Sequence, residues 1–214
     1  MTETTTGPRP RSTYRHGDLR RALLEAGIEL ARGGGPDAVV LREATRRAGV
    51  VPNAAYRHFA SRDDLLQAVR AFALSSLALA METEQSGLPR RRRPADVARG
   101  SLRAVGAGYL RFAQEETGLF RTAFSVADAV EGDTDPAKAG ASGLNPFELL
   151  GAALDLMVDA GLLPATRRPG AEYLAWSAVH GMALLIIDGP LRQVDPRQLQ
   201  ALAQRLLEMV EKGL

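Results

Sequence analysis

Residues 46 to 66, RRAGVVPNAAYRHFASRDDLL, gather side chains suited to binding rather than reaction. Asn53 carries an amide, Tyr56 a hydroxyl, Arg57 a guanidinium and His58 an imidazole. Such a set can donate to phosphate oxygens and to base edges. Phe59 is apolar enough to anchor the end of the stretch in a core. Catalysis finds less support. The three His stand far apart at 16, 58 and 180, and there is no HExxH, no GxSxG and no pair of carboxylates on a common face. Without Cys there is no thiolate metal site, Cys nucleophile or disulfide framework. No metal, cofactor or enzymatic activity is expected.

These side chains need elements to hold them. The pattern predicts a short helix over 41–48, stopped by Gly49, and another from Pro52 to His58. Glycine tolerates the positive φ of a sharp helix-to-helix turn, and proline is at home in a first helical turn. Two short helices crossing over so few residues make a helix-turn-helix, whose second helix enters the DNA major groove. Upstream, Leu19, Leu23, Ala26 and Leu30 form one helical stripe before the Gly33-Gly34-Gly35-Pro36 stop. Those glycines are no phosphate loop, since the Gly-Lys-Ser/Thr of that motif is missing.

The rest of the chain reads the same way. Ser61-Arg62-Asp63-Asp64 has the form of a capping box for a long helix to about residue 86, with stripe Leu65, Val69, Phe72, Ser76 and Leu79. A helix over about 95–116 carries Ala98, Leu102, Val105, Tyr109 and Phe112, followed by the short apolar piece LFRTAF. Residues 128–146 are turn formers and read as a loop, either a gate over a ligand site or simply unstructured. Asn145-Pro146 and Asp195-Pro196 open later helices, and a further one runs from after Gly170 to Asp188. No alternating strand is found. The expected fold is all-α, about nine helices, with residues 1–14 as a flexible arm, 15–61 as a three-helix helix-turn-helix DNA-binding domain and 62–214 as a larger helical domain.

Charge agrees. Residues 1–62 hold eleven Arg against six acidic residues, a net of +5, whereas the whole chain carries +2. A basic N-terminal third on a near-neutral body suits a polyanion partner. No run of eighteen apolar residues is present, and MTETTTGPRPRSTYRHG has no apolar segment of a signal peptide. A cytoplasmic protein without a membrane partner is expected.

LREATRRAGV at 41–50, YRHF at 56–59 and Ser61-Arg62-Asp63-Asp64-Leu65-Leu66, in that order and spacing, resemble the DNA-binding domain of the TetR family of bacterial transcriptional regulators. The match runs over residues 17–66. WSAVHGMALL at 176–185 is similar to the Trp…His-Gly signature of a WHG-type subgroup. The resemblance implies a homodimer that clamps a palindromic operator in double-stranded DNA, most often as a repressor, and lets go when a small molecule enters the C-terminal domain. Carried onto this chain, Pro52, Asn53 and Ala54 would face bases, Tyr56 and His58 phosphates, Arg62 the backbone again, and Thr45 and Arg46 would be secondary phosphate contacts. Val40 and Val51 stand where the family commonly has a capping Ser or Thr, each a loss of roughly 1 kcal/mol. Thr45 replaces a small apolar residue usual there.

Beyond the reading head several readings stay open. Arg9, Arg11 and Arg15 resemble N-terminal arms that reach the minor groove; His16 could touch phosphate or only water. The run Arg90 to Arg93 reads as a solvated turn, because the preceding long helix would carry it away from DNA. Tyr173, Trp176, His180 and Leu184 share a helical face, so Trp176 and His180 either line a cavity or pack in the core. Tyr109, Phe112, Phe124 and Met157 are further candidates of the same two kinds. The final two helices are the expected dimer surface, given ALLII at 183–187 and Gly181, which would admit a close neighbour. A helical adaptor and a cofactor-free enzyme using the cavity are the competing functions.

Overall fold

The computed structural model describes residues 16–89, 93–126 and 132–214, and their side chains except at 16–18 and 52. The arm with Arg9, Arg11 and Arg15, the side chains of His16 and Pro52, Arg90–Arg92 and loop residues 128–131 lie outside the described residues. The described part holds nine α-helices and no strand: α1 His16–Gly34, α2 Leu41–Ala48, α3 Pro52–Ala55, α4 Arg62–Ser86, α5 Pro94–Glu115, α6 Thr117–Ala123, α7 Pro146–Asp159, α8 Ala171–Ile187 and α9 Pro196–Gly213.

Local chemistry explains most boundaries. Ser61 Oγ accepts from Asp64 N and starts α4. Asn145 caps α7 in a full capping box, its Oδ1 taking the Phe147 and Glu148 amides while Glu148 reaches back to the Asn145 amide. Asp195 accepts from Arg197 N and opens α9. Val40 sits at the α2 cap position with extended backbone and no side-chain bond, as its chemistry requires.

Packing runs in two joined tiers. The lower tier sets α1 against α2, α3 and the first turns of α4, burying Leu19, Leu23, Ala26 and Leu30 as the stripe demanded. In the upper tier α5 is central, touching α4, α6, α7, α8 and α9. Its stripe Ala98, Leu102, Val105, Tyr109 and Phe112 is buried throughout. One continuous apolar core joins the tiers.

In α4 the expected stripe fails in the upper half. Leu65 and Val69 are buried, but Leu79 is 44% exposed and Ala73, Leu77 and Met81 take the inner positions. The helix leaves α1 and then packs on α5, α6 and α7, so its buried face rotates as its neighbours change. An 18-residue window of α4 has a mean hydropathy of 1.3, enough by composition to cross a bilayer, yet half of it is buried inside the protein, as in a core helix.

The tiers meet at α1 and α6. A Cβ on Gly118 would lie 2.2 Å from the Ala31 carbonyl oxygen and 2.4 Å from that of Arg32, so only glycine permits this approach. Arg32 pairs with Glu116 at 3.2 Å across the same junction.

Candidate functional site

The reading head is built around Gly49, which has φ 68° and donates its N–H to carbonyls of the last turn of α2. The left-handed turn expected from the sequence is present. The following helix is shorter than expected: regular α-structure covers Pro52–Ala55, and the chain then turns with the His58 and Phe59 amides both bonded to Ala55 O. Missing caps and only one regular turn leave it to tertiary contacts for support. Ala55 is buried, Phe59 is 2% exposed, and the Arg20 guanidinium lies 5.1 Å from the Phe59 ring centre.

Those anchors leave Asn53, Tyr56 and Arg57 pointing outward, Tyr56 at 57% exposure, with Ala54 and His58 half-buried beside them. Other candidates sit differently. Thr45 is 2% exposed and its hydroxyl donates to Arg42 O at 2.6 Å. Arg62 donates from Nε to Val39 O at 2.9 Å and from Nη2 to Pro36 O at 2.8 Å, bracing the loop before α2. Arg46 is exposed but pairs with Glu43 at 2.6 Å, and Arg47 shares that carboxylate. The two guanidinium bonds hold Glu43 at about 2, well below its ordinary value, so it stays charged and competes for both arginines.

The upper tier encloses a cavity of about 90 Å³ between α4, α5, α7, α8 and α9. Tyr109, Phe124 and Trp176 stand in its wall as candidates from the sequence; Leu74, Val105, Phe147, Leu150 and Val179 join them without having been singled out. Phe112 and Met157 are core residues at 4% and 2% exposure, outside that wall. Leu184 and Tyr173 are exposed, so the four-residue face on α8 splits, with only Trp176 and His180 turned inward.

At the inner end, Trp176 Nε1–H donates to Tyr109 Oη at 3.0 Å, and Tyr109 Oη lies 2.7 Å from His180 Nδ1. Burial raises the Tyr109 hydroxyl above its ordinary value and lowers the His180 imidazolium below its own. Both stay neutral near pH 7, and we assign the Tyr109 proton to the bond with His180 Nδ1. His180 therefore bonds to a side chain rather than to a backbone carbonyl.

The other end is closed by residues 132–145. Lys138 Nζ pairs with Asp133 Oδ2 at 2.6 Å and Asn145 Nδ2 donates to Asp133 O at 2.9 Å. This strap is tied to α4. Glu82 accepts from Ala141 N at 2.8 Å, Ser142 N at 2.9 Å and Ser142 Oγ at 2.6 Å, while Ser75 Oγ donates to Ala139 O at 2.7 Å. Burial works against the Glu82 carboxylate, but those three donors outweigh it and its pKa is lowered. Among the described residues no group of three His, Cys, Asp or Glu is placed to hold a metal ion.

Comparison with known proteins decides the family. A model for the C-terminal domain described as tetracyclin repressor-like matches residues 102–210, and the model for bacterial regulatory proteins of the tetR family matches residues 23–69. The chain belongs to the TetR family. It is a TetR-family transcriptional regulator, with the DNA-binding domain at its N-terminus. No curated protein sequence matches the chain. Among solved structures, a protein of unknown function from Rhodococcus sp. RHA1 is similar at TM-score 0.74 and 23% identity, covering 95% of this chain and 99% of that one. The TetR family regulator PfmR from Thermus thermophilus is similar at TM-score 0.56 and 20% identity, covering 90% and 98%. The regulator FadR from Bacillus subtilis, solved with stearoyl-CoA, is similar at TM-score 0.62 and 13% identity, covering 91% and 98%. At these identities the likeness concerns the fold.

Proposed function

We propose that this TetR-family regulator is a homodimeric repressor that grips a palindromic operator through α2 and α3 and releases it when a small molecule occupies the upper-tier cavity. The observation that carries the reading is the outward set Asn53, Tyr56 and Arg57, presented by a left-handed Gly49 turn and backed by a buried Phe59. Asn53 and Ala54 meet bases, Tyr56, Arg57 and His58 meet phosphates, and Arg46 reaches phosphate once it leaves Glu43. Thr45 bonds back within α2 and Arg62 braces the loop before it, through backbone carbonyls.

The dimer forms through α8 and α9. Leu174 is 64% exposed, Leu185 44% and Met209 59%, and a Cβ on Gly181 would meet nothing within 4 Å. That much apolar surface at a chain end favours a second copy. A similarly folded regulator complexed with stearoyl-CoA supports a ligand-responsive role.

Fluorescence anisotropy against the DNA flanking the coding sequence, scanned across salt, tests the reading. Saturable binding to one segment, with log affinity falling linearly against log salt, is the expected result. Asn53→Ala with Tyr56→Phe should weaken operator binding by roughly tenfold or more. Unchanged affinity in that double variant would remove α3 from the role of reading helix.

A further inference from the structure

We infer that the upper-tier cavity selects compact, uncharged, apolar molecules and rejects carboxylates and ammonium ions of the same size. The class follows from what the wall has left to offer. Leu74, Val105, Phe147, Leu150 and Val179 supply carbon surface on several sides. Three polar side chains also reach the wall at the strap, Asp133, Lys138 and Asn145. Each already has a partner: Lys138 the Asp133 carboxylate, Asn145 Nδ2 the Asp133 carbonyl, and Asn145 Oδ1 the Phe147 and Glu148 amides.

At the opposite end the Tyr109 hydroxyl holds Trp176 Nε1–H and His180 Nδ1 together, so the two polar side chains of that cluster that line the wall, Tyr109 and Trp176, are paired as well. The Lys138 ammonium keeps the Asp133 carboxylate below its ordinary value, helped by an Asp135 amide and by the Arg70 charge, which stands outside the cavity wall. A charged ligand would shed its hydration and meet, in the wall, only charges already paired with each other, a large cost in a low-dielectric space. An apolar ligand loses only water. Empty cavities of this character bind small hydrocarbons. At about 90 Å³ the space lies well below the roughly 300–1,000 Å³ of drug-sized pockets, which favours a compact guest.

The inference rests on the proposed regulator reading only for its biological consequence, and its test needs no DNA. Trp176 is the single Trp of the chain and lines the cavity, with its ring 6.0 Å from Phe124 and 6.2 Å from Phe147. Its emission in the full chain is followed while methylcyclohexane, cyclohexanecarboxylate or cyclohexylammonium is added; none absorbs where Trp does. Methylcyclohexane should produce a saturable change, and the charged probes should need at least about tenfold higher concentration. Val105→Phe and Val179→Phe each fill the space from a different helix, and whichever retains its far-ultraviolet helix signal should lose the response. A carboxylate that bound as well as the hydrocarbon, by taking Lys138 from Asp133, would overturn the inference, and so would a flat titration with methylcyclohexane. Operator binding, followed separately by anisotropy without any probe, tells failure of the cavity chemistry apart from failure of the regulator reading.

Discussion

Single residues show how burial changes what a side chain can do. His180 is neutral because partial burial lowers its pKa from the ordinary 6.5. In the unfolded chain it titrates near that ordinary value, so the unfolded state binds more protons as the pH falls below it. Stability is therefore complete above about pH 6.5 and lost as the pH falls through the lowered folded value. Thermal unfolding should show a lower melting temperature at about pH 5.5 than at about pH 7.5, and His180→Phe should flatten the difference. Asn53 and Tyr56 were legible as candidates because they stand in a short polar stretch that follows Gly49 and Pro52 closely along the chain. The acceptors of Arg62 were not, because Val39 and Pro36 lie 23 and 26 residues away along the chain.

At the scale of elements, caps and close approaches decide how firmly the reading head is held. Val40 has cap geometry, φ −119° and ψ 124°, with nothing to accept the amides behind it. Val40→Ser should supply that acceptor and stabilise the protein by about 0.5–1 kcal/mol, read as a rise in denaturant midpoint with unchanged slope. Gly118 has the opposite sensitivity. Its α-hydrogen side faces the last carbonyls of α1, so Gly118→Ala must push α6 away from the reading head. A loss of about 1–3 kcal/mol is expected, with operator affinity falling alongside it because the tilt of α1 sets the tilt of α2 and α3. The long helix α4 ties the same two regions, gripping α1 through Leu65 and Val69 and the cavity strap through Glu82. At about 37 Å for its 25 residues, it runs from beside the proposed DNA-binding turn to the cavity wall.

For the whole molecule the exposed leucines of α8 and α9 are the main feature a monomer leaves unexplained. Leu184 is 43% exposed on α8, although it fell on a face that the sequence marked with Trp176 and His180, and Leu202 is 38% exposed on α9. Residues Leu199, Ala203, Leu206, Leu207 and Val210 of α9 pack inward instead, so the helix has more apolar surface than its own chain can cover. Leu184→Arg should convert the protein to a monomer by light scattering and weaken operator binding, since each half-site would then be bound without the other. The helix signal should hardly change, because the side chain is not part of the core.

The sequence by itself determined most of the helices, the caps at Ser61, Asn145 and Asp195, and the Gly49 turn, because each depends on residues within four positions of one another; the early end of α3 and the helix α6 were not read from it. It determined the basic N-terminal third and the family resemblance as well. The tertiary structure alone decided which apolar faces became cavity wall and which became core or free surface. Tyr109 and His180 lie 71 positions apart, and Glu82 finds its donors at Ala141 and Ser142 some 59 and 60 positions on. Periodicity marks a face as apolar but is silent about which neighbour it meets, so Phe112, Met157 and Trp176 look alike in the sequence. Only the packing of α5 among its neighbours separates the first two from the third.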